Sequence, residues 1–323
     1  MIVIDDPNTF SQHQLGCVAT IGKFDGVHLG HQLILDQLKQ KAEELNLPAL
    51  AIVIEPHPEE FFTSDASACP ARLSLVDEKL ALIESFGVDF ALVLRFDKQL
   101  SELSAEAYIH DILVDGLGIA AFIVGDDFKF GNKRGGDFAL LKREGAKHGF
   151  EVLESEAYER NGQRISSTYV RDCLGAGDFA LAEQLLGRKY TIKGELIKGQ
   201  QLGGQIGFPT CNIDPKRLKM PLLGVFACYA RLDDVLLPAA VNIGFRPTVQ
   251  AEGGALLEAH LLDFRGDLYG ETLEIIFVAK VRNEMKFDSI DALKRQLEED
   301  IARVRELIIS ESHDQTWQLK TLT

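Results

Sequence analysis

The stretch TIGKFDGVHLGHQ, from Thr20 to Gln32, decides how the first half of the chain folds. The apolar run Val18–Ile21 leads into it like a buried strand, and the segment Ile34–Leu45 leaves it with apolar residues at helical spacing. A strand, a loop and a helix in this order leave free backbone N–H groups and the positive end of the helix dipole above the strand, which suits a phosphate. His28 and His31 lie at this point, where their rings could add hydrogen-bond donors and, when protonated, positive charge.

The composition limits the class of protein. A chain of 323 residues is long enough for two domains that each bury a core, and an apolar fraction of 46% is typical of a globular protein. The net charge of −15 argues against a broad surface for nucleic acid or an anionic membrane, so we expect neither partner. No apolar segment reaches the length of a signal peptide or a membrane span, and we therefore expect a cytoplasmic protein.

The cysteines are odd in number, dispersed and mostly in apolar surroundings, so we expect reduced and buried thiols. They are Cys17, Cys69, Cys173, Cys211 and Cys228.

From Cys17 to about Leu186, strand-like and helical patterns alternate. The predicted strands are Val18–Ile21, Ala49–Ile54, Phe90–Leu94, Ala120–Val124 and Phe150–Leu153. The predicted helices are Ile34–Leu45, Glu78–Phe86, Ala105–Leu117 and Phe138–His148. This alternation predicts a parallel sheet with helices on both faces, in which ligands bind at the carboxyl ends of the strands. His28, His57 and Asp126 follow predicted strands and should lie at that edge.

After Gly187 the pattern changes to short runs of β-branched and apolar residues, which predict a compact antiparallel β-barrel. These runs are Tyr190–Ile197, Val225–Leu232, Leu236–Asn242, Leu256–Leu262 and Leu273–Val281. Apolar residues three or four apart from Ile290 to Ile308 predict a closing helix that packs one stripe on the barrel. We therefore place the two domains at residues 1–186 and 187–310, and expect the polar segment 311–323 to be a frayed tail.

The pattern His-x-Gly-His has three interpretations: a phosphate contact, half of a metal site, or two ordinary loop histidines. Zinc would need further ligands at short spacing, such as Cys-x-x-Cys or a second histidine pair, and the sequence has neither. Gly22 and Gly26, which allow tight turning, and Gly30, which allows close backbone approach, favour the phosphate interpretation.

A second candidate is the stretch ISSTYVRDCL, from Ile165 to Leu174. Ser166, Ser167 and Thr168 precede a short helical segment that carries Arg171. The hydroxyls could simply cap the helix and the arginine could be surface charge. Alternatively, the hydroxyls, the helix N–H groups and the guanidinium could bind a polyphosphate, and a capping residue can do both. Together with the two histidines, this suits nucleotidyl transfer, in which positioning and charge stabilisation do most of the catalysis.

Several motifs in a fixed order give the chain a specific resemblance. They are TIGKFDGVHLGHQ, EPHPEEFF (Glu55–Phe62), RLSLVDEK (Arg72–Lys79), LSAEAYIHDILV (Leu103–Val114), VGDDFKFGNKRGG (Val124–Gly136) and ISSTYVR. Over nearly its whole length the sequence resembles the bacterial bifunctional riboflavin kinase/FMN adenylyltransferases, also called FAD synthetases.

This resemblance implies that residues 1–186 form an adenylyltransferase module with a nucleotidyltransferase-like, Rossmann-like α/β fold. It implies that the ATP phosphates and the α-phosphoryl transition state are held by His28 and His31. The leaving pyrophosphate would be bound by Ser166, Ser167, Thr168 and Arg171. The rest of the ATP loop would be formed by Gly22, Phe24, Asp25 and Gly30. The flavin side would be formed by His57, Asp126 and Phe128.

The second module carries GQQLGGQIGFPTCNI, from Gly199 to Ile213, which resembles the flavokinase motif. Thr210 and Asn212 are two apart on an extended segment and so face the same side, where their oxygens suit Mg²⁺ bound with ATP. The match continues in VNIGFRPTV (Val241–Val249), LEAHLLDF (Leu257–Phe264) and VRNEMKF (Val281–Phe287).

Glu258 in this module matches the carboxylate that the family uses as the base on the ribityl 5′-hydroxyl, the alternative being an ordinary solvent-facing strand carboxylate. The ATP phosphates would be bound by Lys198, Gly199 and Gly207. Where many relatives have a basic residue in the glycine loop, this chain reads Gly203–Gly204–Gln205, and Lys198 replaces a histidine. We therefore expect backbone amides and Lys198 to bind phosphate there.

The resemblance implies that riboflavin and ATP give FMN and ADP in the barrel, and that FMN and a second ATP give FAD and pyrophosphate in the first module. Two other functions are considered. A nucleotidyltransferase acting on another phosphate ester would explain residues 1–186 but not the kinase motif. A non-catalytic flavin-binding protein is disfavoured by the presence of His28, His31, Arg171 and Glu258.

Overall fold

The structure is a computed structural model, in which the contacts between residues divide the protein into two compact units. It describes residues 1–11, 16–63, 65, 68–160, 162–197, 207–217, 219–245, 255–264, 266, 268 and 270–314. The first unit comprises Met1–Pro70 and Ser74–Ser167, and the second comprises Ala71–Leu73 and the chain from Thr168 onward.

The first unit is built on a parallel sheet of six strands, as the alternating pattern predicted. They are β1 (Ile2–Ile4), β2 (Cys17–Gly22), β3 (Ala49–Glu55), β4 (Phe90–Arg95), β5 (Ile119–Gly125) and β6 (Glu151–Ser155). The order across the sheet is β1-β4-β3-β2-β5-β6, and every neighbouring pair is parallel. The sequence pattern missed β1, a three-residue edge strand with two exposed side chains, because such a strand has no apolar periodicity.

Helices cover both faces of this sheet, which confirms the predicted layering. They are α1 (Pro7–Ser11), α2 (Leu29–Leu45), α3 (Pro58–Phe62), α4 (Val76–Ser85), α5 (Lys98–Glu102), α6 (Ala105–Ala107), a π-helical segment (Tyr108–Gly116) and α7 (Phe138–His148). Leu35 and Leu38 of α2 are fully buried with Val53 in one apolar cluster. Leu113 of the π-helical segment and Phe122 of β5 belong to a second cluster. A two-stranded hairpin, β7 (Glu159–Arg160) and β8 (Gln163–Arg164), follows β6.

The second unit is a closed antiparallel barrel of six strands, which confirms the predicted architecture. They are β9 (Thr191–Ile197), β10 (Cys211–Asp214), β11 (Gly224–Leu232), β12 (Val235–Phe245), β13 (Ala255–Leu261) and β14 (Thr272–Arg282). The order around the barrel is β10-β13-β12-β11-β14-β9. Strand β10 was expected only as an extended segment, because its four residues are too few to show a period.

The closing helix is present as α10 (Ile290–Asp314). Its Val304 and Ile308 are buried in a cluster with barrel residues, whereas Ile290 is 67% exposed, so the apolar stripe packs in the second half of the helix. The helix continues to Asp314, and Glu311 forms an ion pair of 2.7 Å with Lys189. The helix thus extends four residues beyond residue 310, where the second domain was expected to end, and residues 315–323 lie outside the described chain.

The contacts divide the chain at Thr168, not at the expected boundary after residue 186. The second unit therefore includes two helices that the sequence had placed in the first domain. They are α8 (Ser167–Ala176), from Thr168 onward, and α9 (Phe179–Leu186). The ring of Phe179 lies 5.8 Å from Phe226 of β11 and 5.9 Å from Phe277 of β14. Aromatic packing on the barrel therefore explains why α9 belongs to it.

All five cysteines are free thiols, but the expected burial is incomplete, because Cys69 and Cys211 are only half-buried. Cys17, Cys173 and Cys228 are buried, and burial raises the pKa of the Cys17 thiol to about 12. Such a thiol stays protonated at neutral pH and is inert to oxidation or metal binding.

We predict that Arg282→Met destabilises the second unit by about 3–5 kcal/mol, because it leaves the buried carboxylate of Asp300 without its counter-charge. Arg282 Nη2 lies 2.7 Å from Asp300 Oδ2, its Nε bonds both carboxylate oxygens, and Asp300 is 3% exposed. Urea unfolding measures the effect. As a control, Arg303→Met removes an exposed pair with Glu306 and should cost less than about 1 kcal/mol. Equal losses for both variants would contradict the prediction.

Candidate active sites

Two stacked histidine rings stand at the start of α2, where the loop after β2 ends. His28 directly precedes the helix and is 7% exposed, and its ring centroid lies 3.8 Å from that of His31 with an angle of 18° between the planes. The ring of Phe24 lies 5.2 Å from His31. A Cβ atom at Gly30 would lie 3.2 Å from the His28 ring, so glycine at this position gives the ring its space. The two predicted histidines are thus one unit at a helix N-terminus.

His31 is held in its neutral form. Burial lowers its pKa well below the ordinary value of 6.5, and the positive charges of His28, Lys79 and Lys23 lower the pKa further. Its Nδ1 atom is buried and has no hydrogen-bond partner among the described residues. At neutral pH His31 therefore offers a hydrogen bond without a positive charge. The sequence suggested that both histidine rings could carry positive charge, and the structure disfavours this for His31.

The loop between β2 and α2 is fixed by bonds to the segment before α4. Ser74 donates its backbone N–H to Asp25 Oδ1 at 3.1 Å, and Gly26 donates its N–H to Ser74 Oγ at 2.9 Å. Phe24 and Asp25 are each 1% exposed. Their burial favours a role in shaping the loop over direct contact with a phosphate.

The second phosphate candidate begins at the same loop. Ser167 is the first residue of α8, and its hydroxyl donates to the backbone oxygen of Asp25 at 2.9 Å. Ser166, directly before the helix, is half-buried. The contacts group Thr168, which is exposed, and Arg171 with the second unit, where Arg171 Nε donates to the Ala71 backbone oxygen at 2.6 Å.

The remaining candidates of the first unit follow neighbouring strands. The strands β3, β2 and β5 are adjacent and parallel, so His57, His28 and Asp126 follow strands that end at the same edge of the sheet. His57 is 6% exposed and its Nε2 lies 3.1 Å from Lys79 Nζ. Asp126 is exposed and pairs with Arg164 at 2.8 Å. This confirms the expectation that these three loops share one edge.

Phe128, the aromatic candidate in the loop after β5, is half-buried. Its ring stacks on that of Phe130 at 5.3 Å with an angle of 11° between the planes, and lies 6.2 Å from Phe122. The stack gives a rigid apolar surface at the end of β5, of the kind that a planar ring system can pack against.

In the barrel, strand register brings three polar side chains into one row. Glu258 of β13 is the register partner of Asn212 on β10 and of Asn242 on β12. The neighbouring row of Ile213, Leu257 and Ile243 is fully buried. Because side chains alternate across a strand, the polar row lies on the opposite side of these strands from the apolar row, where Glu258 and Asn242 are half-buried and Asn212 is 7% exposed. The structure therefore places the predicted base, Glu258, beside the predicted metal ligand, Asn212.

The segment before β10 is fastened to the same face of the barrel. His260 lies two residues after Glu258, and its Nδ1 is 2.7 Å from the Pro209 backbone oxygen. Thr210 follows directly and is half-buried. Gly207 is exposed with a φ of +94°, a conformation that glycine adopts without strain. The described residues do not include Lys198, Gly199 or the glycine loop Gly203–Gly204–Gln205.

Sequence reasoning missed three residues that the structure brings to these sites: Ser74, Lys79 and Asn242. The motif RLSLVDEK contains Ser74 and Lys79, but the motif alone indicated no chemistry for them. Asn242 had a usable signal in the sequence, because it is the single polar side chain in the otherwise apolar run VLLPAAVNIGF (Val235–Phe245).

Among the described residues, one group of side chains has the spacing of a possible metal-ligand cluster. His110, Asp111 and Asp115 lie together on the π-helical segment and are all exposed. His110 Nδ1 is 3.0 Å from Asp111 and 3.2 Å from Asp115, so hydrogen bonds and ion pairs account for the arrangement.

A parallel sheet whose helix α2 begins with a histidine pair, together with a barrel that carries a carboxylate between two asparagines, is the arrangement expected of a two-module nucleotide-dependent transferase. The family model described as FAD synthetase matches residues 10–169, and the model described as riboflavin kinase matches residues 186–308. The chain belongs to the family of bifunctional riboflavin kinase/FMN adenylyltransferases.

Similar proteins agree with this assignment. The bifunctional riboflavin kinase/FMN adenylyltransferase of Pseudomonas fluorescens is 47% identical over 298 residues, which cover 92% of this chain and 95% of that protein. The enzyme of the same name from Escherichia coli K12 is 44% identical over 294 residues, with coverages of 91% and 93%.

A solved structure from Streptococcus pneumoniae, described as a macrolide-efflux protein, has a TM-score of 0.79 and 26% identity to this chain. The match covers 94% of this chain and 99% of that chain. In the part of this chain that the structure describes, the helices are too short or too polar to cross a membrane.

We predict that His31 stays neutral from pH 8 down to below its ordinary pKa of 6.5. The unfolded chain binds a proton on this ring at a higher pH than the folded chain does, so His31 contributes a loss of stability as the pH falls below 6.5. An NMR titration of the histidine ring protons, assigned with His31→Gln, tests this. Titration of His31 at or above pH 6.5 would contradict the prediction.

Proposed function

We propose that the two reactions of the family are divided between the two modules, with adenylyl transfer to FMN in the first and phosphorylation of riboflavin in the second. The observation that supports this most is that each module has its own polar site: the histidine pair at the start of α2, and the row of Asn212, Glu258 and Asn242 on the barrel. Each site has the chemistry that one of the two reactions needs.

In the first module, a phosphate oxygen of FMN attacks the α-phosphorus of ATP, and the bond from that phosphorus to the leaving pyrophosphate breaks. The FMN phosphate is already ionised, so the reaction needs no general base, only in-line placement and charge stabilisation. His28 and His31 donate hydrogen bonds to phosphate oxygens, supported by the N–H groups at the start of α2. We assign the leaving pyrophosphate to Ser166, Ser167, Thr168 and Arg171.

The flavin of FMN is assigned to the same edge of the sheet. His57 follows β3 and Asp126 follows β5, on either side of the strand that carries His28. The stack of Phe128 on Phe130 gives the isoalloxazine ring an aromatic surface.

In the second module, Glu258 takes the proton from the ribityl 5′-hydroxyl, whose oxygen attacks the γ-phosphorus of ATP while ADP leaves. Asn212 and Asn242 flank Glu258 in register, so their amides can orient the carboxylate and the substrate hydroxyl. We assign the ATP phosphates to Lys198, Gly199 and Gly207.

A magnesium ion fits the donors of this barrel face. The Thr210 hydroxyl, the Asn212 amide oxygen and the Glu258 carboxylate are hard oxygen ligands, the type that Mg²⁺ prefers. Thr210 and Asn212 would hold the ion. When bound with ATP, it offsets negative charge on the transferring phosphoryl group.

The cytoplasm is the proposed location, because five free cysteines are typical of a reducing compartment and because ATP is a substrate of both reactions.

Incubation of the purified protein with riboflavin, ATP and Mg²⁺, followed by chromatography of the flavins, tests the proposal. We expect FMN to form first and FAD to follow. Formation of neither would refute the proposal, and formation of FMN alone would confine it to the barrel.

We predict that His28→Ala lowers FAD formation from FMN by about 100- to 1000-fold, as expected for loss of a donor to the transition state, and leaves FMN formation unchanged. Glu258→Ala should lower FMN formation by about 100- to 10,000-fold, as expected for loss of a general base, and leave FAD formation from added FMN unchanged. Each variant is the folding control for the other. If either substitution stopped both reactions in a folded protein, the assignment of sites to modules would be wrong.

We predict that Asn212→Ala raises the Mg²⁺ concentration for half-maximal FMN formation by about ten- to a hundredfold, because an oxygen near the ion is lost. Asn242→Ala, on the other side of Glu258 in the same row, is the matched control and should leave this concentration unchanged. A magnesium titration of the kinase rate measures both. The same Mg²⁺ dependence in the wild type and Asn212→Ala would exclude Asn212 as a ligand.

A further inference from the structure

Lys79 on α4 is a fully buried ammonium group at the ligand-binding edge of the sheet. Its side chain is 0% exposed, and its Nζ atom lies 2.6 Å from Glu55 Oε1, 2.8 Å from the Lys23 backbone oxygen and 3.1 Å from His57 Nε2. An ammonium has three hydrogens to donate, so it can donate one to each of these three acceptors.

The three acceptors come from two neighbouring loops. Lys23 lies in the loop between β2 and α2, directly before Phe24; we call this loop the phosphate-binding loop, after the role proposed for it. Glu55 is the last residue of β3, and His57 is the N-cap residue of α3. The strands β2 and β3 are adjacent in the sheet. Lys79 therefore fastens the loop assigned to ATP to the loop assigned to the flavin.

The contact with Lys79 also defines the protonation of His57. An ammonium can only donate, so His57 Nε2 must accept, and the ring then carries its proton on Nδ1. A tautomer selected in this way gives the ring one donor at a defined position.

The same stretch holds the phosphate-binding loop at a second point. Ser74, five residues before Lys79, bonds Asp25 and Gly26. Phe24, directly before Asp25, has a φ of +48°, and Val27, directly after Gly26, has a φ of +40°. Non-glycine residues rarely adopt such values, and surrounding bonds must hold them there.

Stability alone is a weak reason for this arrangement. A buried lysine–glutamate pair usually gives no more stability than two apolar side chains of the same size, because both charges lose their hydration. The Lys79 charge also acts on the site, since it is one of the charges that lower the pKa of His31. The position of the ammonium, between the two substrate loops, points to a role in the reaction.

We propose that Lys79 is a positioning residue for adenylyl transfer, which holds the phosphate-binding loop against the flavin-side loop and presents His57 as its Nδ1–H tautomer. This inference rests on the proposed function of the first module. In this proposal, Ser74 and Lys79 of the motif RLSLVDEK align the two substrates by holding the loops that bind them.

The test compares Lys79→Met with Lys98→Met, which removes a lysine that is 82% exposed on α5 of the same unit. We expect Lys79→Met to lower kcat/KM for FAD formation by about 100-fold, with a raised KM for ATP as well as a lowered kcat, because reacting groups displaced by about 1 Å lose that much. Lys98→Met should match the wild type, and riboflavin phosphorylation should be unchanged in both. An unchanged rate of FAD formation in Lys79→Met would overturn the proposal.

A second variant separates positioning from folding. Lys79→Met with Glu55→Met removes both buried charges, so the first unit should fold even if the single variant does not. We expect this double variant to show the native circular dichroism spectrum and still to form FAD about 100-fold more slowly than the wild type. Recovery of the wild-type FAD rate in the double variant would show a purely structural ion pair and overturn the proposal.

The ring nitrogens of His57 give a readout that is independent of activity. In ¹⁵N NMR spectra at neutral pH we expect an Nδ1–H tautomer for the wild type and Lys98→Met, and a mixture of tautomers for the double variant. An Nε2–H tautomer in the wild type would overturn the proposal. A wild type without FAD formation would instead refute the proposed function, so the two failures are distinguishable.

Discussion

The parallel alignment of β3, β2 and β5 is the constraint on which the first module depends. Because these strands are adjacent and run in the same direction, the loops that follow them must meet at one edge of the sheet. His28, His57 and Phe128 all lie on those loops, and His31 follows in the first turn of α2. Lys79 and Ser74 then hold the loop after β2 in a backbone conformation that a free chain would leave. Sheet topology therefore brings the site residues together, and the buried hydrogen bonds of Lys79 and Ser74 fix the loop conformation.

The barrel reaches a comparable result by a different route. In an antiparallel barrel, register decides which side chains are neighbours, and a shift of one residue would turn Glu258 to the interior. The fully buried row of Ile213, Leu257 and Ile243 prevents that shift, because exposing it would cost several kcal/mol of apolar burial. The core thus fixes the polar row outside it. The same pairing of strands therefore determines both the stable fold and the arrangement of the proposed kinase site.

Much of this could be predicted from the sequence, because periodicity reports burial directly. Five of the six parallel strands, both layers of helices, five barrel strands and the closing helix follow from it. Short elements such as β1 and β10 have no period to detect. Lys79 could not be found, since its partners Glu55 and Lys23 are 24 and 56 residues away, and only tertiary structure buries the three together. The unit boundary also depends on tertiary packing, that of Phe179 on the barrel.

If one chain carries two separate ATP-dependent sites, two variants that each lack one of the two activities should complement each other. A mixture of the His28→Ala and Glu258→Ala proteins should convert riboflavin, ATP and Mg²⁺ to FAD, with FMN accumulating first, although neither protein does so alone. The first variant supplies FMN from its intact barrel, and the second adenylylates it. If the mixture forms no FAD while each variant retains its own single reaction, the two sites do not act separately and the proposed division of the reactions between the modules is wrong.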